Sequence, residues 1–187
     1  LCHKFDKPLI ISTGMWDEEE IEKSINFYNE NFKNMEFFIL LANSTYPTPY
    51  ESINLKYLTK LSRLHNFVGY SGHERGIFIP TAAQALGASI IEKHITFDRS
   101  QTGPDHKASM LPKEFKDLVT NIRKTSLALG SDKVVNQAEK LAKESFAKSA
   151  YAISNIPVGH LLRKDDVEFK SPGKGIHPHQ LEKFIGK

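Results

Sequence analysis

Four short apolar runs, at 8–12, 37–41, 67–70 and 89–91, each stop abruptly in polar residues, and the intervals between them carry helical spacing. Strands apolar along their whole length, alternating with amphipathic helices, are what a parallel sheet covered by helices requires, because both faces of such a strand are packed. Four such units make half of an eight-stranded (β/α)8 barrel, whose closure needs the other half. Open parallel sheets and (β/α)8 barrels share one consequence: only the loops at the carboxyl ends of the strands can reach a substrate. The span 69–109 concentrates histidines, acids and glycines in those loops. His73 and His94, each just past a strand, are therefore expected to face one cleft.

The helical intervals read plainly. Asp17 to Glu20 give an acidic first turn, which suits the positive end of a helix dipole, and Ile21, Ile25, Tyr28 and Phe32 form one apolar stripe. Leu55, Leu58, Leu61 and Leu64 repeat the pattern, and a further helix is expected around 80–86. Pro112 sits where a helix can start, and Phe115, Leu118, Ile122 and Leu129 carry its apolar face to Gly130. The domain layout expected is a barrel portion over 1–130, a polar, lysine-rich linker with one short helical piece over 131–145, and a small β-rich domain over 146–187. Short β-like pieces at 150–153 and 167–169, with turns at Pro157, Gly159, Pro172, Gly173 and Gly175, carry that last expectation.

Composition narrows the partners. The net charge of +3 comes from dispersed lysines. No stripe of Lys and Arg interleaved with aromatics argues for a nucleic-acid surface. The single Cys2 cannot form an internal disulfide, which agrees with a reducing cytoplasm. No run approaches the roughly 18 apolar residues of a membrane span. The chain begins at Leu1, close to a strand, and reads as a piece of something longer.

The ordered motifs STGM, STYPTPYE, VGYSGHERG, GASIIEKHITFDR, GPDHKAS and PGKGI resemble the sialic acid synthase family over nearly the whole chain. STGM alone is weak; six short motifs in order with compatible gaps are strong. The resemblance implies an α/β fold comprising the C-terminal half of a (β/α)8 TIM barrel, four parallel βα units, then a partial β-rich antifreeze-like (SAF) domain. It implies phosphoenolpyruvate-dependent condensation with an N-acylated hexosamine (N-acetylmannosamine, its 6-phosphate or a related sugar) and water, giving a nonulosonic acid and phosphate. It further implies a cytoplasmic, domain-swapped homodimer, and a fragment inactive without the first half of the barrel.

By the same resemblance His73 and His94 are the protein ligands of a divalent ion, manganese or magnesium. Neutral imidazoles suit such an ion, and a site with few protein ligands stays open for Lewis-acid work on a carbonyl. Spacing alone favours the plainer reading, in which each histidine merely ends a strand; the motifs favour the metal. Ser12, Ser44 and Ser71 match positions that hold the phosphoenolpyruvate phosphate and carboxylate, with asparagine standing at the Ser44 position in many relatives. Each serine reads equally well as turn chemistry. Tyr46 matches the sugar-contacting tyrosine, its alternative being packing against Pro47. Asp105 matches the acid that bonds sugar hydroxyls and completes the catalytic set with the two histidines; otherwise it is a solvated loop carboxylate. Glu92 and Lys93 alternate across the sheet, so only one points inward, and spacing leaves open which.

One departure stands out. Where the family often carries an arginine before Pro-Gly, this chain has Ser171-Pro172-Gly173 between Lys170 and Lys174. A lysine there supplies charge without the planar fork of a guanidinium. Two other readings compete: another metal-dependent phosphoenolpyruvate-condensing enzyme or aldolase, and a sugar- or phosphate-binding module without catalysis.

Overall fold

The computed structural model describes residues 7–32 and 35–187, so Cys2 lies outside the described residues. The chain divides into two units, residues 1–130 and 131–187. In the first, four parallel strands stand in sequence order, β1 (Leu9–Ser12), β2 (Phe37–Ala42), β3 (Val68–Gly72) and β4 (Ile90–Lys93), and form a half-barrel. Between them run α1 (Glu18–Asn31), α2 (Tyr57–Leu64) and α3 (Phe78–Ala85); after β4 comes α4 (Pro112–Leu129).

The helix ends follow local chemistry. Asp17 accepts from the Glu20 amide at 2.9 Å, and the Glu20 carboxylate accepts from the Asp17 amide at 2.8 Å, a reciprocal cap that starts α1. Pro112 occupies the first turn of α4, where a missing N–H costs nothing, and Gly130 closes it at a φ of +50°. The apolar stripe of α4 fades along its length: Leu118 is buried, but Leu129, expected on the packed face, is 50% exposed.

Parity divides the sheet. Leu9 and Ile11, Phe37, Ile39 and Leu41, Val68 and Tyr70, and Ile91 all join one core with Ile21 and Ile25 of α1, Leu58 and Leu61 of α2 and Ala83 of α3. The intervening residues point the other way, since successive side chains alternate. The register aligns Ser12 with Leu40, Leu40 with Gly69, Ala42 with Ser71, and Ser71 with Glu92. That second face is open in part: Ile10 is 50% exposed, and Ser12 and Glu92 are exposed, whereas Leu40 and Ser71 between them are buried.

In the second unit α5 (Gln137–Phe146) begins at Asn136, whose side chain accepts from the Glu139 amide. It leads into an antiparallel pair, β5 (Ser149–Ala152) and β6 (Val167–Lys170). The loop after β6 is tied to α5: Ser171 Oγ donates to the Phe146 carbonyl, and the Gly173 amide donates to the Glu144 carbonyl, both at 2.9 Å. A Cβ at residue 173 would stand 2.6 Å from the Ala147 Cβ, so this approach requires glycine. Lys170 is paired with Glu168.

Candidate functional site

Several of the expected site residues collect where β2, β3 and β4 end. His73 and His94 stand two residues past the paired Ser71 and Glu92, on the same parity and just beyond the last ladder pair, Gly72 and Lys93. The His73 and His94 ring centroids are 5.2 Å apart. Tyr46, on the loop after β2, lies against both, at 4.1 Å from His73 and 5.8 Å from His94.

Each histidine is held by its neighbours. The Nδ1–H of His73 donates to the Asn43 carbonyl at 2.7 Å, which leaves Nε2 as the ring's free lone pair. Its own carbonyl accepts from the Thr48 amide. Burial pushes the His73 imidazole below its ordinary pKa, with the Asn43 hydrogen bond opposing, so the neutral ring is favoured. The carbonyl of His94 accepts from the Met110 amide at 2.9 Å, which fastens it to the far end of the following loop.

The Glu92 and Lys93 alternation is resolved. Glu92 stands on the open face and accepts from Ser71 Oγ at 2.7 Å. Lys93 turns into the helix-covered face, where its side chain is fully buried and reaches Glu74 Oε1 at 3.1 Å. Burial lowers the Lys93 pKa while Glu74 opposes the shift; burial, and then the hydrogen bond to Glu74, raises that of Tyr70. Sequence reasoning gave no role to Asn43, Glu74 or Lys93. The only hint was that Glu74 and Lys93 directly flank the two histidines.

The remaining expected residues are dispersed. Ser12 ends β1, two strands and about 10 Å of sheet away from the β3 edge. Ser44 Oγ rests against Gly14, where a Cβ would come within 2.2 Å of it. These two loops border a cleft of about 640 Å³ lined by Trp16, Asn43, Ser44 and Tyr57 among others, but not by either histidine. Asp105 is exposed; its carbonyl accepts from Ser109 Oγ at 2.8 Å, and among the described residues its carboxylate has no protein partner. His106 Nδ1 meets the Thr96 hydroxyl at 2.8 Å. So the structure gathers His73, His94 and Tyr46 tightly, with Ser71 and Glu92 beneath them. It leaves Ser12 and Asp105 at the margins.

No group of three or more His, Cys, Asp or Glu among the described residues could hold a metal ion. A cation placed here would have the two imidazoles and otherwise water, substrate or groups beyond this constellation. The donor set fits that demand: two imidazoles sharing one ion at about 2.1 Å, at right-angled to tetrahedral geometry, set their centroids roughly 4.5–5.3 Å apart.

A family model described as the NeuB family matches residues 1–134. The chain is 39% identical to an N,N'-diacetyllegionaminic acid synthase of Campylobacter jejuni, over 98% of this chain and 56% of that one. It is 38% identical to a pseudaminic acid synthase of the same species, over 100% of this chain and 54% of that one. Among solved structures, a sialic acid synthetase from Leptospira borgpetersenii in complex with citrate superposes with a TM-score of 0.66 at 34% identity, covering 75% of this chain and 49% of that one. The chain spans about half the length of the curated relatives it matches.

Proposed function

Because the chain belongs to the NeuB family, we propose that the protein carrying it condenses phosphoenolpyruvate with an N-acylated amino sugar to make a nonulosonic acid. In that reaction C3 of phosphoenolpyruvate forms a bond to the acceptor's aldehyde carbon, water adds to C2, and phosphate leaves with cleavage of its C–O bond. The observation that carries the reading is the pair His73 and His94, 5.2 Å apart at the carboxyl ends of adjacent strands, with Tyr46 over both.

The pair would hold a manganese or magnesium ion, the neutral His73 ring offering Nε2. When bound, the ion supplies Lewis acidity that polarises the acceptor aldehyde. The chain's own part is positioning. Ser12 and Ser44 offer neutral donors to the phosphate and carboxylate of phosphoenolpyruvate, and Ser71 joins them when its hydroxyl proton turns from Glu92 to the ligand. Tyr46 and Asp105 face the sugar, and Asp105's lack of a protein partner leaves its carboxylate free for hydroxyl groups. Until the ligand takes it, Glu92 accepts the Ser71 hydroxyl proton and holds that hydroxyl in place. The nearly equal likeness to a legionaminic and a pseudaminic acid synthase supports the class of acceptor without selecting one.

The second unit we read as part of an antifreeze-like (SAF) domain that serves a partner subunit's site in a homodimer. Its small antiparallel pair and its Gly- and Pro-rich loop support that reading. No helix among the described residues is long and apolar enough to cross a membrane; we place the reaction in the cytoplasm, where phosphoenolpyruvate is made.

The test is to incubate the natural protein with phosphoenolpyruvate and a panel of N-acylated hexosamines and their 6-phosphates. Phosphate release and product mass are followed with a chelator and after manganese is restored. One acceptor should give stoichiometric phosphate and a product three carbons longer, only with the ion present. His73→Ala and His94→Ala should each abolish turnover. Acceptor binding without phosphoenolpyruvate consumption would replace this reading with that of a binding module.

A further inference from the structure

Beneath the histidine pair, on the helix-covered side of the sheet, three polar side chains are buried together. Tyr70 Oη donates to Glu74 Oε2 at 2.6 Å; Lys93 Nζ donates to Glu74 Oε1 at 3.1 Å and also to the Glu74 carbonyl. Glu74 is 0% exposed. Burying an ion pair is a poor way to gain stability, since desolvation offsets most of the attraction and apolar residues of similar size do as well or better. Its position gives it another use.

The β3–β4 ladder ends at the pair Gly72 and Lys93. The next residues are His73 and His94, beyond the last ladder pair. Lys93 then reaches past the end of the ladder to the residue following His73. One of its bonds goes to the Glu74 main chain, so it fixes the backbone on the far side of one histidine to the residue just before the other. Gly72 completes the arrangement: a Cβ there would lie 2.7 Å from Glu74 Oε2 and 2.7 Å from Tyr70 Cε1. The carboxylate occupies the space a side chain at 72 would need.

On the reading that His73 and His94 hold a divalent ion, we infer that Glu74 and Lys93, with Tyr70 and Gly72 supporting them, are a buried clamp that sets the separation of the two imidazoles. They are positioning residues; neither touches substrate. Removing them loosens the pair by about the 10- to 100-fold in metal affinity that outer-shell partners are generally worth.

The test measures manganese binding to the natural protein by the electron paramagnetic resonance of free Mn²⁺, alongside thermal unfolding. The triple variant Tyr70→Phe, Glu74→Met, Lys93→Met removes every buried charge and hydroxyl of the clamp together, so its stability should match or exceed the parent's. Its manganese affinity should nevertheless fall about 10- to 100-fold. A role confined to stability predicts recovered stability and unchanged affinity, and that result overturns the clamp. Gly72→Ala keeps all three polar residues and displaces only the carboxylate; it should weaken manganese binding in the same direction, and it decides the matter if the triple variant does not fold. If His73→Ala abolishes binding while both clamp variants bind as the parent does, the clamp fails and the metal reading stands. If the parent itself binds no manganese, or binds it unchanged in His73→Ala, both fail together.

Discussion

Glu92 and Lys93 are neighbours on β4, yet they stand on opposite faces of one sheet and do opposite things. Glu92 lies on the open face, hydrogen-bonded to Ser71 in the layer below the histidines. Lys93 lies on the covered face, with its ammonium locked into Glu74 beneath the core helices. The difference shows how a βα scaffold divides its labour at a strand end: the open parity carries groups that can meet a ligand, and the covered parity carries groups that hold the loops in place. Two adjacent charged residues are then unequal in what their loss costs.

The sharpest way to break this comparison is to neutralise each neighbour separately. Lys93→Met leaves the Glu74 carboxylate buried without its cation, and breaking a buried pair in this way costs about 3–5 kcal/mol. Glu92→Gln keeps an acceptor for the Ser71 hydroxyl on a face that is already exposed, and should change stability by less than about 0.5 kcal/mol. Urea unfolding of both variants beside the parent measures the two values. Equal costs, or a larger cost for Glu92→Gln, would mean the faces are not specialised as described.

Ser71→Ala probes the open face itself. It removes one side-chain hydrogen bond and leaves the Glu92 carboxylate without its hydroxyl donor, a loss of about 1 kcal/mol in stability. If that face is where phosphoenolpyruvate is held, the KM for phosphoenolpyruvate should rise severalfold while manganese affinity stays put. A drop in manganese affinity with an unchanged KM would move Ser71 from the substrate to the metal.

The apolar runs and their spacing made the half-barrel readable, because burying both faces of a strand leaves a continuous signature that turns and caps punctuate. The same property hid the parity. In β2 every residue from Phe37 to Leu41 is apolar, so the sequence announces a strand without saying which residues face the helices. That is why the choice between Glu92 and Lys93 stayed open until the register with β3 was known. Glu74 and Lys93 were illegible as a pair for a related reason: a buried lysine is tolerable only with a partner, and that partner sits 19 residues earlier, in the loop after β3. The motifs singled out the two histidines and Tyr46, and the structure brings the three rings together. Asp105 was legible as a residue in a fixed turn, but the turn fixes its carbonyl and leaves its carboxylate in solvent.

The smallest effect belongs to the second unit, and it sharpens the contrast between covered and open charges. There the carboxylate of Asp166 accepts from His160 Nε2 at 2.7 Å and from the Arg163 amide at 2.8 Å, in a pair that stands partly in solvent. The His160 hydrogen bond, and after it the Arg163 amide, hold Asp166 below the usual aspartate range, with burial opposing weakly. The sign follows from that depression. The folded state binds this proton less readily than the unfolded chain does, so the contribution is fully present above the unfolded value of about 3.9 and is lost as the pH falls through the lower folded value. A carboxyl ¹³C NMR titration should therefore give Asp166 a midpoint below about 3.9. In His160→Ala the midpoint should move back up toward that value, and the turn at Lys164–Asp166 that leads into β6 should lose some of its amide protection. Because solvent screens the pair, neither change should unfold the unit at neutral pH, in contrast to the penalty expected for Lys93→Met. An Asp166 midpoint at or above the ordinary range, or global unfolding of His160→Ala, would show that the exposed pair carries structural weight of the kind assigned here only to the buried one.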